Sequence, residues 1–451
     1  MRESFNVSSK NDSADDRELI DREVYGKEKR MAAVKPFCCI RPTTGNAGEV
    51  AALPYDVYDR AEARREVEKH PLSFLGIDRA ETGFPDSVGM YEPCVYERAR
   101  ALFEQRLEAG ILIEETSPAF YLYELTRNGR VQTGLVACCA VDDYLSGGIR
   151  KHENTRPEKE QDRICHIDTL DAQTGPIFLA YRPEKRLREL VQDAKKEEPL
   201  YDFVTDDGIR HRVWKAAGQE TLDEIRRGFG KLPAVYIADG HHRAASAVKV
   251  ALKRRQEYPE AGPEAEFNSF LCVLFPSDEL QILPYHRVVR DLNGYSVEEF
   301  LHLLSENFTV RKVGRTPFSP SEKGHFGMYL QENWYELQIR PERIPDDPVG
   351  CLDAALLQDY LLSLVLGIHD PTTDKRIDFI GGVRGLTELE RRVSEDMQIA
   401  FSMYPTSMEE LLEVADAGRL MPPKSTWFEP KLRSGLFIHR LGGKSGSSDR
   451  F

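Results

Sequence analysis

The stretch YIADGHHRAAS, residues 236–246, decides the reading of this chain. It joins AVYIA (234–238), a compact apolar run of strand composition, to AASAVKVALKRR (244–255), a strong helix former. Asp239, Gly240, His241, His242 and Arg243 fall between them. A strand, a polar turn and a helix suit an anion, because a helix N-terminus leaves backbone N–H groups unpaired and carries partial positive charge. Gly240 lets the backbone approach a ligand closely. Arg243 can add paired hydrogen bonds to phosphate oxygens. His241 and His242 can donate further bonds or move a proton near neutral pH. Asp239, at the carboxyl end of the strand, can hold Mg2+ or orient a histidine. A capping aspartate with a turn glycine and surface histidines is the plainer alternative, and a metal-hydrolase use of Asp239, His241 and His242 lacks partner ligands at a recognisable spacing.

The bulk properties frame that reading. A chain of 451 residues holds material for up to about three domains. With 41% hydrophobic and 30% charged residues it has the composition of a soluble globular protein. No apolar run is long enough to span a bilayer and no secretory leader is visible, so a cytoplasmic location is expected. The formal net charge of −14 repels nucleic acid and anionic membrane, and no basic block offsets it. Eight cysteines without a C-x-x-C pair read as reduced, mostly core thiols.

Residues 1–31 are polar, charged and without apolar periodicity, and they are expected to be disordered. Structured sequence begins directly after Met31, which raises Met31 as an alternative start, testable by mass spectrometry of native peptides. Beyond it, strands and helices alternate without a repeat. A short strand is expected at 34–40, a helix at 95–109 closed by Gly110, and a helix at 352–367 closed by Gly367. FYLYELTRNGRVQTGLVACCAV carries a hairpin turn at Asn128-Gly129. The expected fold is mixed α/β, with a core over 32–310 and a C-terminal α/β region over 311–451.

Three more stretches carry polar chemistry. KHENTRPEKEQDR (151–163) reads on composition as a solvated loop or helix face. MPPKSTWFEPKLRSG (421–435) combines Lys424, Lys431 and Arg433 with prolines that fix an extended path, a candidate second contact for phosphate or a carboxylate. It lacks the glycines of a P-loop. Arg41, in CCIRP, and Asp56, in PYDV (54–57), are weaker candidates for ligand contact.

The turn at 239–243 resembles the phosphate-binding box of the ParB/sulfiredoxin superfamily, and within it D-G-H-H-R is most similar to the free L-serine kinases. Through KPFCCIRP (35–42), PYDV, KHENTRPEKEQDRI (151–164), YIADGHHRAASA and MPPKSTWFEPKLRSGLFIH (421–439), the chain resembles the bacterial and archaeal family of unknown function numbered one thousand and fifteen, over nearly all of 33–440. Leu53 departs from the proline usual before P-Y-D-V. The resemblance implies a ParB/sulfiredoxin-like core with large insertions and a glutamate base. Glu153 is the candidate for that base, with His152 and Arg156 beside it as substrate-binding groups and Glu160 and Asp162 as rivals. It further implies Mg2+, ATP or ADP as phosphoryl donor, and a small hydroxylated acceptor, free L-serine above others. A ParB-like nucleotide-binding regulator, or a phosphohydrolase using the same turn, is the alternative.

Overall fold

The computed structural model describes residues 33–442, and the expected tail at 1–31 lies outside the described residues, as does the alternative start at Met31. The fold is mixed α/β. Among the described residues the largest sheet has nine strands. Across it run Ile149–Arg150, Val235–Asp239, Ile177–Tyr181, Ser269–Pro276, Arg130–Ala140, Phe120–Arg127, Arg210–Ala216 and Tyr201–Val204, with Val34–Lys35 added beside Arg130–Ala140. Val235–Asp239 pairs parallel with Ile149–Arg150 and antiparallel with Ile177–Tyr181. Its register shifts between Ile237 and Asp239, a bulge that re-aims the last residue of the strand.

Side-chain alternation divides the two faces of this sheet. Val235 and Ile237 face a core that the helix His241–Glu257 covers with Ala244, Ala247, Val248 and Ala251. Tyr236 and Ala238 face the opposite core, which Leu411, Leu412, Leu436 and Phe437 close from the far end of the chain. The helix Pro157–Leu170 packs along His241–Glu257, with the Ser246 hydroxyl donating to the Glu160 carbonyl at 3.1 Å. Pro93–Glu108 lies against it in turn, joined by Tyr96 Oη donating to Asp162 Oδ1 at 2.9 Å.

Asn128-Gly129 forms the expected hairpin turn, with φ of 49° and 77°. The strand expected at 34–40 is two short pieces, Val34–Lys35 and Cys39–Pro42, paired in different sheets. The helix expected at 352–367 is interrupted: Asp353–Leu357 is α-helical and Gln358–Ser363 widens into a π-helical turn. The apolar spacing was right for a buried helix, but it carries no record of a local widening of the backbone.

A separate six-stranded sheet takes all its strands from Tyr285 to Ser402 and has its own core around Phe326, Met328, Leu337 and Phe401. The boundary expected at residue 310 falls inside its strand Phe308–Gly314. After this sheet the chain returns to the first unit, where Trp427–Phe428 pairs with Ile282–Leu283 and Ile438–Arg440 with Cys39–Pro42. We propose that the chain divides at the two ends of this sheet, near residues 284 and 403, which makes the six-stranded unit an insertion.

Candidate functional site

Val235–Asp239 ends at Asp239, Gly240 adopts a left-handed conformation with φ of 91°, and the helix begins at His241. The helix therefore starts three residues earlier than its composition indicates, and His241, His242 and Arg243 form its first turn. Ala244 makes the first intrahelical bond, its N–H donating to the Gly240 carbonyl at 2.9 Å. The N–H groups of the three preceding residues have no such acceptor, which is the geometry that receives an anion.

Asp239 accepts from the Gly240 N–H at 2.8 Å through Oδ1 and from Lys431 Nζ at 3.0 Å through Oδ2. Burial opposes its charge, but Lys431 and Arg243 outweigh burial and hold its pKa well below the usual carboxylate range. Lys431 also stands 4.8 Å from the ring centre of Trp427. Arg243 donates to the Pro176 carbonyl, beside Gly175.

The polar stretch at 151–163 divides in the structure. Residues 151–156 form a loop against the start of the helix, and Pro157 opens the helix Pro157–Leu170. The Arg156 N–H donates to His242 Nε2 at 2.9 Å, so His242 fastens this loop. His152 and His241 meet edge to face with ring centres 4.5 Å apart. Both are buried. Burial holds His152 at a pKa of about 4, against smaller opposing effects from the Ile237 backbone and Asp239. Burial likewise keeps His241 well below its ordinary value, helped by His152. Burial thus favours the neutral imidazole at His241.

Glu153 places Oε2 3.7 Å from His241 Nδ1, beyond hydrogen-bond range. Burial raises its pKa, Lys424 opposes this, and Asp239 reinforces it. The rivals of Glu153 are spent elsewhere. Glu160 pairs with Lys249, and Asp162 with Arg163 and Tyr96.

The segment 421–435 is stitched to the same site. The Met421 N–H donates to the His152 carbonyl at 2.8 Å, and the Gly435 N–H to the Thr174 carbonyl at 3.0 Å. Lys424, in a left-handed conformation, lies 5.5 Å from the ring centre of Tyr285 and electrostatically faces Glu153. Asp56, a weak candidate on sequence, acts on both His242 and Lys431.

Two candidates are not part of this cluster. Arg433 is buried and bonded to Asp207 and to Thr205 Oγ1. Arg41 is bonded to Glu115 and Tyr201. Both cations are neutralised by a local carboxylate, which their sequence neighbourhoods did not reveal. Among the described residues no three His, Cys, Asp or Glu side chains cluster as a metal cage. No helix among them is long and apolar enough to cross a membrane.

Residues 34–355 match the model of a family described as "Protein of unknown function (DUF1015)". The chain belongs to this family. The DUF1015 match ends before 421–439, a stretch that the sequence resemblance had included and that the tertiary structure joins to the site. No curated protein matches the chain. Solved structures similar to this DUF1015 protein include a conserved hypothetical protein from Pyrococcus furiosus, 12% identical, covering 67% of this chain and 94% of that one with a TM-score of 0.33. Free serine kinase in complex with AMP is 14% identical, covering 65% and 86% with a TM-score of 0.31. SbnI with a C-terminal truncation, from Staphylococcus aureus, is 12% identical, covering 67% and 87% with a TM-score of 0.34.

Proposed function

We propose that this DUF1015 protein is a nucleotide-dependent phosphotransferase acting on a small hydroxylated metabolite. The favoured acceptor is free L-serine, from the resemblance carried by D-G-H-H-R. The observation that supports this reading most strongly is the meeting of three distant segments at one helix N-terminus: Asp239 to Arg243, the loop holding Glu153, and the lysines of 421–435.

In this reading the free N–H groups and Arg243 hold donor phosphate oxygens, while Lys424 and Lys431 offset their charge. Phosphoryl transfer needs chiefly positioning and charge stabilisation. Glu153, its basicity increased by burial, accepts the proton of the acceptor hydroxyl as the new O–P bond forms and the donor's terminal bridging P–O bond breaks. A Mg2+ ion held mainly by nucleotide phosphates takes only one or two protein carboxylates. Asp239, ionised at the strand end, would be the protein carboxylate that holds it, and the ion would supply neutralisation of the phosphate charge. The donor, ATP or ADP, stays open. The competing readings are a nucleotide-binding regulator and a phosphohydrolase.

A phosphorus NMR assay tests this directly. Protein is incubated with Mg2+, L-serine and ATP or ADP, alongside the Arg243→Ala and Glu153→Gln variants. A phosphoserine resonance lost in both variants is the expected result. Nucleotide consumption without phosphoserine replaces serine with another acceptor or with water. Binding without turnover favours the regulator.

A further inference from the structure

A cavity of about 350 Å3 lies between the loop at 55–60, the helix Pro93–Glu108 and the helix Pro157–Leu170. We propose that it receives the nucleoside half of the phosphoryl donor; the proposal rests on the phosphotransferase reading above.

Size and lining carry the proposal. The volume falls at the lower end of the roughly 300–1,000 Å3 typical of small-molecule sites. Tyr55, Tyr58, Tyr91 and Tyr96 line it together with Ile77 and Val95, a set of rings and aliphatic groups suited to a planar heterocycle. Tyr91 is 60% exposed and has no ring partner among the described residues' aromatic pairs, so it is free to cover a bound base.

Position links the cavity to the helix N-terminus. Asp56 and Lys159 belong to its wall. The charge of Asp56 acts on His242 and Lys431, and that of Lys159 on His242 and Glu153, so this end of the cavity faces the phosphate side of the site. A smaller cavity of about 30 Å3 shares Tyr55, Asp78, Arg163 and His166 with the large one and reaches Arg243, which gives the two compartments a common wall.

The other large cavity, about 370 Å3, is a poorer host. Tyr58 is the one tyrosine among its lining residues, none of residues 239–243 lines it, and it shares no wall with the small cavity that reaches Arg243.

Calorimetric titration of the full chain with ADP and with inorganic tripolyphosphate separates the nucleoside contribution from the phosphate contribution. Tyr91→Ala opens the cavity at an exposed position, Ala99→Leu fills it, and Arg243→Ala removes the phosphate contact; if Ala99→Leu fails to fold, Tyr91→Ala decides alone. We expect each cavity variant to weaken ADP about tenfold or more, as loss of a stacking ring does, while tripolyphosphate changes less than about twofold, and Arg243→Ala to weaken both ligands. ADP affinity unchanged in the cavity variants, or tripolyphosphate weakened equally, overturns the nucleoside assignment and leaves the phosphate reading standing. Failure of the unaltered protein to bind either ligand removes both.

Discussion

Lys431 Nζ donates to Asp239 Oδ2 at 3.0 Å, joining the C-terminal segment to a strand end 192 residues earlier. Burial works against the lysine's charge, yet Asp239 outweighs burial and raises its pKa. Replacing Lys431 by Met leaves the aspartate with Arg243 as its principal nearby cation. Removing one partner of a partly buried pair is expected to lower unfolding free energy by about 1–3 kcal/mol. Urea denaturation measures this, and carbon NMR of the Asp239 carboxyl should show its titration moving upward. A cycle with Asp239→Asn isolates the coupling between the two groups.

Gly240 holds its helix start in the left-handed region, and a Cβ there would stand 3.0 Å from Arg243 Nε. Gly240→Ala is expected to cost about 1–2 kcal/mol from the backbone alone and to displace the guanidinium. Thermal unfolding reads the first effect. A weaker phosphate affinity, out of proportion to the stability loss, reads the second.

Acid should unfold this protein through its histidines. Burial holds His152 and His286 at pKa values of about 4 and His166 and His211 at about 3, in the latter two with help from Arg163 and Arg433 respectively. Each value lies below that of the unfolded chain, near 6.5. Their contribution is therefore complete above about pH 6.5 and is lost as pH falls through 4 towards 3. Urea midpoints should drop steeply over that window, and His286→Gln should make the fall shallower.

Asp353 titrates in the opposite sense. Burial lifts its pKa to about 7, although the Gly324 N–H donates to Oδ1 at 2.9 Å, and Oδ2 is buried without a hydrogen-bond partner among the described residues. The folded state keeps the proton that the unfolded chain releases near 4, so stability falls as pH rises from about 4 to 7 and then levels. Asp353→Asn removes this loss. Its melting temperature relative to the unaltered protein should climb across that window, and a constant difference would show that Asp353 is ionised in the fold.

Local features of the fold were legible where local physics decides them. Asn128-Gly129 turns the hairpin because both residues accept positive φ, and Pro93–Glu108 follows the apolar spacing read over 95–109. The π-helical widening at Gln358–Ser363 and the early helix start at His241 were not, because each reflects packing or a single glycine and no periodic pattern. The six-stranded sheet at 285–402 was hidden for a similar reason. Its strands pair with one another across loops that look no different from those joining neighbours.

The mixed α/β class, the strand–turn–helix at 235–257 and the chemical character of that turn were legible in the sequence, since these depend on residues within a few positions of one another. Which distant groups surround it is set by the path of the chain in space. That path brings Glu153, Lys424, Lys431 and Asp56 to the helix N-terminus and gives Arg41 and Arg433 to carboxylates elsewhere. A charged side chain's partner is set by where the backbone returns in space, and burial then determines the charge it keeps. Neither quantity is written in the spacing of residues along the chain.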